Sequence, residues 1–159
     1  MPRWLRARRG YSLVELLVVT VILLVLASAI APLSRVAVQR QREVELRRAL
    51  RELRTAIDGY KDAVDLGVIG GTDLDPDNAG YPPDLQTLVT GVEPVDAPDG
   101  QRLRFLRRIP IDPLTRSADW GLRAYDDDPD AQTWGGGNVY DVYTRAPGTA
   151  LDGTRYRDW

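Results

Sequence analysis

Gly10-Tyr11-Ser12-Leu13-Val14-Glu15 joins a basic leader to the run Leu16 to Leu33, which holds no charged residue and is interrupted only by Thr20, Ser28 and Pro32. A helix rising about 1.5 Å per residue needs about 20 apolar residues to cross a bilayer. With Leu13 and Val14 counted, the run is long enough. The leader, residues 1–10, carries Arg3, Arg6, Arg8 and Arg9 and no acid. Such cations stay on the cytoplasmic side, so the C-terminal part is expected outside. Pro32 removes one helical hydrogen bond and is expected to kink or locally melt the helix near Ser28. Ala27, Ala29 and Ala31 offer the small-residue cleavage site of an ordinary secretory signal. Against that fate, Glu15 heads the run, and the run passes into a charged helix without a turn signal.

Beyond the run, Leu46, Leu50, Leu53, Ile57, Tyr60 and Val64 recur at spacings of three and four, one face of an amphipathic helix reaching about Leu66. Arg40, Arg42, Glu43, Glu45, Arg47, Arg48, Arg51, Glu52 and Arg54 fill the other face, with Glu43 and Arg47 at ion-pair spacing. The interleaved acids and the outside topology argue against nucleic acid, and the face reads as a solvated surface that meets neighbouring subunits. Gly67 or Gly70-Gly71 ends the helix. Thr72 to Pro83 is a polar loop, whose Asp73, Asp75 and Asp77 lack the glycine and glutamate that a calcium loop of the EF-hand type needs.

Tyr81 to Val89 predicts a short helix with proline at its start. Leu103 to Pro113 reads as a connector, because Ile-Pro and Asp-Pro bar regular pairing. Trp120 to Tyr125 and Val139 to Thr144 are strand signals on either side of an acidic, glycine-rich loop, Asp126 to Gly137. The expected fold is α+β: a long N-terminal helix packed on a small antiparallel sheet of about three strands through Trp120, Tyr125, Val139, Val142, Tyr143, Tyr156 and Trp159. The absence of cysteine and histidine from all 159 residues excludes disulfides, thiolate metal sites, cysteine nucleophiles and Ser-His-Asp catalysis. No pocket of convergent polar groups is nominated, so an enzyme is not expected.

Gly10 to Glu15 resembles the class III signal of type IV pilins and type II secretion pseudopilins, with Tyr11 where the family usually has Phe. The resemblance implies that a prepilin peptidase cuts after Gly10 and methylates the new amine of Tyr11. It further implies that Glu15 meets the N-terminal amine of a neighbouring subunit as the helix enters a filament, and that Pro32 belongs to the filament helix. A carboxylate in hydrocarbon costs at least ~2.5 kcal/mol unless paired, which gives such a meeting its driving force. The plainer alternative is that Glu15 sits at the membrane interface beside Arg9.

Tyr81-Pro82, the run Leu106 to Pro113 and Trp120-Gly121 sharpen the likeness toward major pseudopilins of type II secretion. This resemblance implies a pilin-like fold with three parts: leader 1–10, transmembrane and filament-core helix 11–34, and periplasmic domain 35–159. The implied role is that of a structural, non-enzymatic subunit of a periplasmic pseudopilus that drives export of folded proteins from the bacterial inner membrane. Implied partners are further copies of itself, minor pseudopilins, the prepilin peptidase, and the assembly platform with its secretion ATPase. A type IV pilin for adhesion or motility, or a signal-anchored periplasmic binding protein, are the alternatives. Major pseudopilins also bind calcium in the loop before the last tryptophan. Here Arg145 to Trp159 offers Asp152, but Thr154 and Arg155 stand where an acidic pair is expected. The ligands are therefore not carried over; no cofactor is expected, and calcium stays an open candidate.

Overall fold

The computed structural model describes residues 11–70, 78–96 and 100–159, apart from the side chains of 29–33. The leader with Gly10, and Asp73, Asp75 and Asp77, lie outside the described residues. The chain divides into two compact units, 1–39 and 40–159.

Helix α1 (Leu13–Asp65) belongs to both. Its backbone stays helical through Pro32, and the local melting expected near Ser28 is not found. Within the second unit its apolar stripe is the core: Leu46, Leu50, Leu53, Ile57 and Tyr60 are buried, with Val64 packed at the edge. The end of α1 is a Schellman turn. The Gly67 N–H reaches Val64 O at 2.9 Å and the Val68 N–H reaches Ala63 O at 2.9 Å, with Gly67 at φ 69°.

Helix α2 (Leu85–Thr90) begins four residues after Tyr81, later than the sequence suggests. The Asp84 carboxylate caps it, taking the Thr87 N–H at 2.7 Å, while Pro82 stays outside and uses its carbonyl to accept the Val139 N–H at 2.8 Å. Gly91 closes α2 at φ 80°, where a Cβ would sit 2.7 Å from Leu103 O. That approach lets Val92 and Leu103 exchange hydrogen bonds and lets Leu88 O take the N–H groups of Phe105 and Leu106.

The connector expected over Leu103 to Pro113 is non-regular and well anchored. Asp112 is fully buried, accepts the Leu114 N–H at 2.7 Å and is bonded to the Thr144 hydroxyl; Trp120 Nε1 donates to Pro110 O at 2.9 Å.

Strands β1 (Gly121–Arg123) and β2 (Asp141–Tyr143) pair antiparallel, Gly121 opposite Tyr143 and Arg123 opposite Asp141. The sheet has two strands among the described residues, against about three expected. Gly148 and Gly153, both at positive φ, let the C-terminal stretch turn back on itself, so that pairing there shrinks to one bridge between Thr149 and Arg155 before a 3-10 turn, Tyr156–Asp158. Tyr125 is a second correction: it is exposed, stacked on Tyr81 and edge-on to Tyr140, not in the core.

Candidate functional site

The first unit presents the N-terminal stretch that carries the signal-like residues. Tyr11 is 83% exposed. Ser12 gives its carbonyl to the Leu16 N–H at 3.0 Å, the first intrahelical bond of α1, which makes Ser12 the helix cap and puts Glu15 in the first turn. Ser12 and Glu15 thus have capping-box spacing, a pattern that the reading of the residues overlooked. The partial positive charge at a helix start favours a carboxylate there.

Every described apolar side chain from Leu13 to Leu26 is exposed, between 48% and 80%. An all-round apolar helix is stable only when something apolar covers it. Each Leu or Val removed from water contributes about 1.5–3 kcal/mol, so two of them outweigh the ~2.5 kcal/mol cost of carrying Glu15 into hydrocarbon. The polar interruptions are neutralised within the helix: the Thr20 hydroxyl donates to Leu16 O at 2.8 Å and Ser28 to Val25 O at 2.7 Å. That is what a medium without water demands. Among the described residues no helix is long and apolar enough to cross a membrane. The uncharged run itself continues to Leu33.

In the second unit α1 is fastened to the C-terminal loop. Glu43, assigned by its charge to the outer face, is buried, and its Oε1 accepts the Leu151 N–H and the Tyr156 hydroxyl, both at 2.9 Å. One turn on, Arg47 pairs with Asp152 at 3.0 Å and lies 4.1 Å over the Trp159 ring. Arg54 binds Asp141 at 2.7 Å, Val142 O at 3.2 Å and the main-chain oxygen of Trp159 at 2.8 Å. Arg123, nearly buried, holds the other oxygen of Asp141 at 3.1 Å and stacks on Tyr143.

This loop is where calcium would be sought, and the donor set does not fit it. One oxygen of Asp152 is taken by Arg47 and the other by the Thr154 hydroxyl and N–H. Those bonds, the Thr154 hydroxyl foremost, hold the carboxyl below its usual range. Among the described residues no group of three or more acidic side chains is placed to share a cation. Asp127, in the acidic loop, spends its carboxylate on the Ala124 and Gly135 N–H groups at 2.7 and 3.1 Å.

Comparison with known proteins bears on the first unit alone. No curated protein and no solved structure matches the chain. The family model described as Prokaryotic N-terminal methylation motif matches residues 5–31. That motif is the signal common to type IV pilins and pseudopilins, so it supports the pilin-like class, a structural one, for a chain with a long N-terminal helix and a small antiparallel sheet.

Proposed function

We propose that this chain is the major subunit of a type II secretion pseudopilus, held in the inner membrane by α1 until it joins a periplasmic filament. In this reading residues 1–10 are a cytoplasmic leader cut after Gly10, Tyr11 carries the methylated amine, residues 11–34 form the membrane and filament-core segment, and 35–159 the periplasmic domain. One observation carries it: the N-terminal stretch of α1, Leu13 to Leu26, exposes apolar side chains all round, and its one carboxylate, Glu15, sits in the first turn within a methylation motif. In a filament each such helix is covered by its neighbours, and Glu15 meets the methylated, still cationic N-terminal amine of Tyr11 on the next subunit, neutralising both. Pro32, inside the same helix, gives the packed core one position without a hydrogen-bond donor. The assembly platform and its ATPase extract the subunit, minor pseudopilins share the filament, and substrates are pushed outward as it grows.

The test uses the full chain in cells with the peptidase and assembly machinery. Sequencing the mature protein should find methylated Tyr11 first; a start after Ala31 would mean simple secretion, and a start at Met1 an uncleaved anchor. Glu15→Ala should be cleaved as before yet enter no filament. Normal filaments from that variant would remove Glu15 from the role.

A further inference from the structure

Two halves of one kind of contact stand unjoined in the second unit. A groove of about 690 Å³ between α1 and the connector is lined by Arg48, Arg51 and Arg107 with Phe105 at its wall, and by Glu52 as its one acid. Among the described residues the three guanidinium groups take part in no hydrogen bond or ion pair. Elsewhere, Tyr125 and Tyr140 are 55% and 47% exposed, edge to face with centroids 5.5 Å apart. The loop beyond Tyr125 exposes Asp126, Asp128 and Asp130, which have no ion pair among the described residues, Asp127 being turned inward.

The chain shows twice how it satisfies such groups. Arg47 sits on Trp159 and pairs with Asp152; Arg123 sits on Tyr143 at 4.3 Å and pairs with Asp141. Each seat is an aromatic face with a carboxylate beside it, which binds a guanidinium by its quadrupole and its charge together. The Tyr125, Tyr140 and Asp126–Asp130 surface is a third seat with no arginine of its own, and the groove holds arginines with no seat. Lys61 lies over Tyr81, the ring stacked on Tyr125, and is bound to Asp65. Arg48 and Lys61 stand roughly 140° apart around α1, so groove and seat face different ways.

We propose that the Tyr125–Asp130 surface of one copy docks in the Arg48, Arg51 and Arg107 groove of the next. Two different patches on one chain make a heterologous contact, which repeats without closing and generates a helical filament. The contact deepens the filament reading and rests on it. It adds to the packing of the apolar helices a fixed rotation between neighbouring domains, because guanidinium groups pair only in a narrow geometry.

Because the chain has no cysteine, introduced pairs report cleanly. The full chain carrying Arg51→Cys and Asp128→Cys, oxidised in cells that process and assemble it, should give a ladder of trimers and larger species. Either substitution alone should give none. Arg107→Glu added to the pair should remove the ladder, and Asp130→Arg added to that should bring it back. Monomers only, a dimer without higher species, or a ladder indifferent to Arg107→Glu would overturn the contact. Electron microscopy of the unsubstituted chain scores the filament separately: filaments without a ladder sink this contact alone, and the absence of filaments sinks the filament reading together with the contact that rests on it.

Discussion

The Arg47 guanidinium meets the Asp152 carboxylate at 3.0 Å, so a protein cation occupies the carboxylate that a metal would need in this loop. Among the described residues this loop therefore offers calcium no free carboxylate, where calcium prefers six to eight oxygens with acidic ligands among them. The full chain in detergent micelles should keep its melting temperature in excess chelator and gain nothing from millimolar calcium. Both side chains of the pair are about half exposed, so solvent screens it and Arg47→Ala should lower the melting temperature only slightly. A calcium-dependent rise in melting temperature would show a site that these ligands do not explain.

Glu43 should matter more than Arg47, because it is buried and its acceptor oxygen serves two donors from the C-terminal loop. Glu43→Ala leaves the Leu151 N–H and the Tyr156 hydroxyl without that partner, a loss of about 2–4 kcal/mol. Glu43→Gln keeps an acceptor and should lose roughly half as much. Thermal unfolding followed by the near-ultraviolet signal of the tryptophans measures both.

The stripe from Leu46 to Tyr60 was legible because helical burial repeats every three to four residues, and Gly67 because few other residues take its left-handed turn cheaply. Glu43 was misplaced although it lies three residues before Leu46 and so falls on the buried stripe; its charge outweighed its position. Arg54, three before Ile57, flanks the same stripe. Their partners are out of reach of local pattern, since Tyr156 and Asp141 are brought to α1 only by the folded loops. The expected third strand is missing among the described residues for a related reason: Gly148 and Gly153, at positive φ, turn the C-terminal stretch back on itself, which a count of strand-like stretches does not register. At the N-terminal stretch Gly10 lies outside the described residues, and the roles proposed for Tyr11 and Glu15 rest on motif and chemistry.

Acid should loosen the second unit. The N–H groups of Ala124 and then Gly135 hold Asp127 below its ordinary value of 3.8, as the bonds from Thr154, and then Arg47, hold Asp152. A depressed carboxyl contributes stability that is complete above the unfolded value and is lost as the pH falls through the folded one. The melting temperature should therefore be flat above about pH 5 and fall below about pH 4, and Asp127→Asn should shallow the fall. Lys61 runs the other way: its bond to Asp65 raises it above 10.5, so its contribution is complete below that value and fades in stronger base. A melting temperature unchanged from pH 5 to pH 2.5 would contradict the assignment of these bonds.

Gly121 lies directly opposite Tyr143 in the β1–β2 register, and a Cβ there would come 2.2–2.5 Å from the tyrosine ring. The ring covers the glycine, and Arg123 covers the ring. Gly121→Ala must displace it, which should cost about 1–3 kcal/mol. Adding Tyr143→Val opens the space, so the two substitutions together should cost less than the sum of their separate effects. A strictly additive pair would mean that the ring does not sit over Gly121.

Asp141 is the junction on which helix, sheet and C-terminus converge, shared between Arg54 at 2.7 Å and Arg123 at 3.1 Å. Arg123 is almost withdrawn from solvent, so loss of the carboxylate leaves a charge that water cannot reach to compensate. Asp141→Asn keeps one acceptor and removes the charge, and should cost about 2–4 kcal/mol. Arg54 still has Val142 O and the Trp159 oxygen, which it reaches because a guanidinium fork spans several acceptors at once. Arg54→Lys offers a single ammonium and should fail to hold all three, loosening the last residues more than the strands. Amide exchange separates the two variants: Asp141→Asn should speed exchange across β1 and β2, and Arg54→Lys chiefly from Tyr156 to Trp159. Equal protection of both regions in both variants would show that the three elements are not joined through this carboxylate.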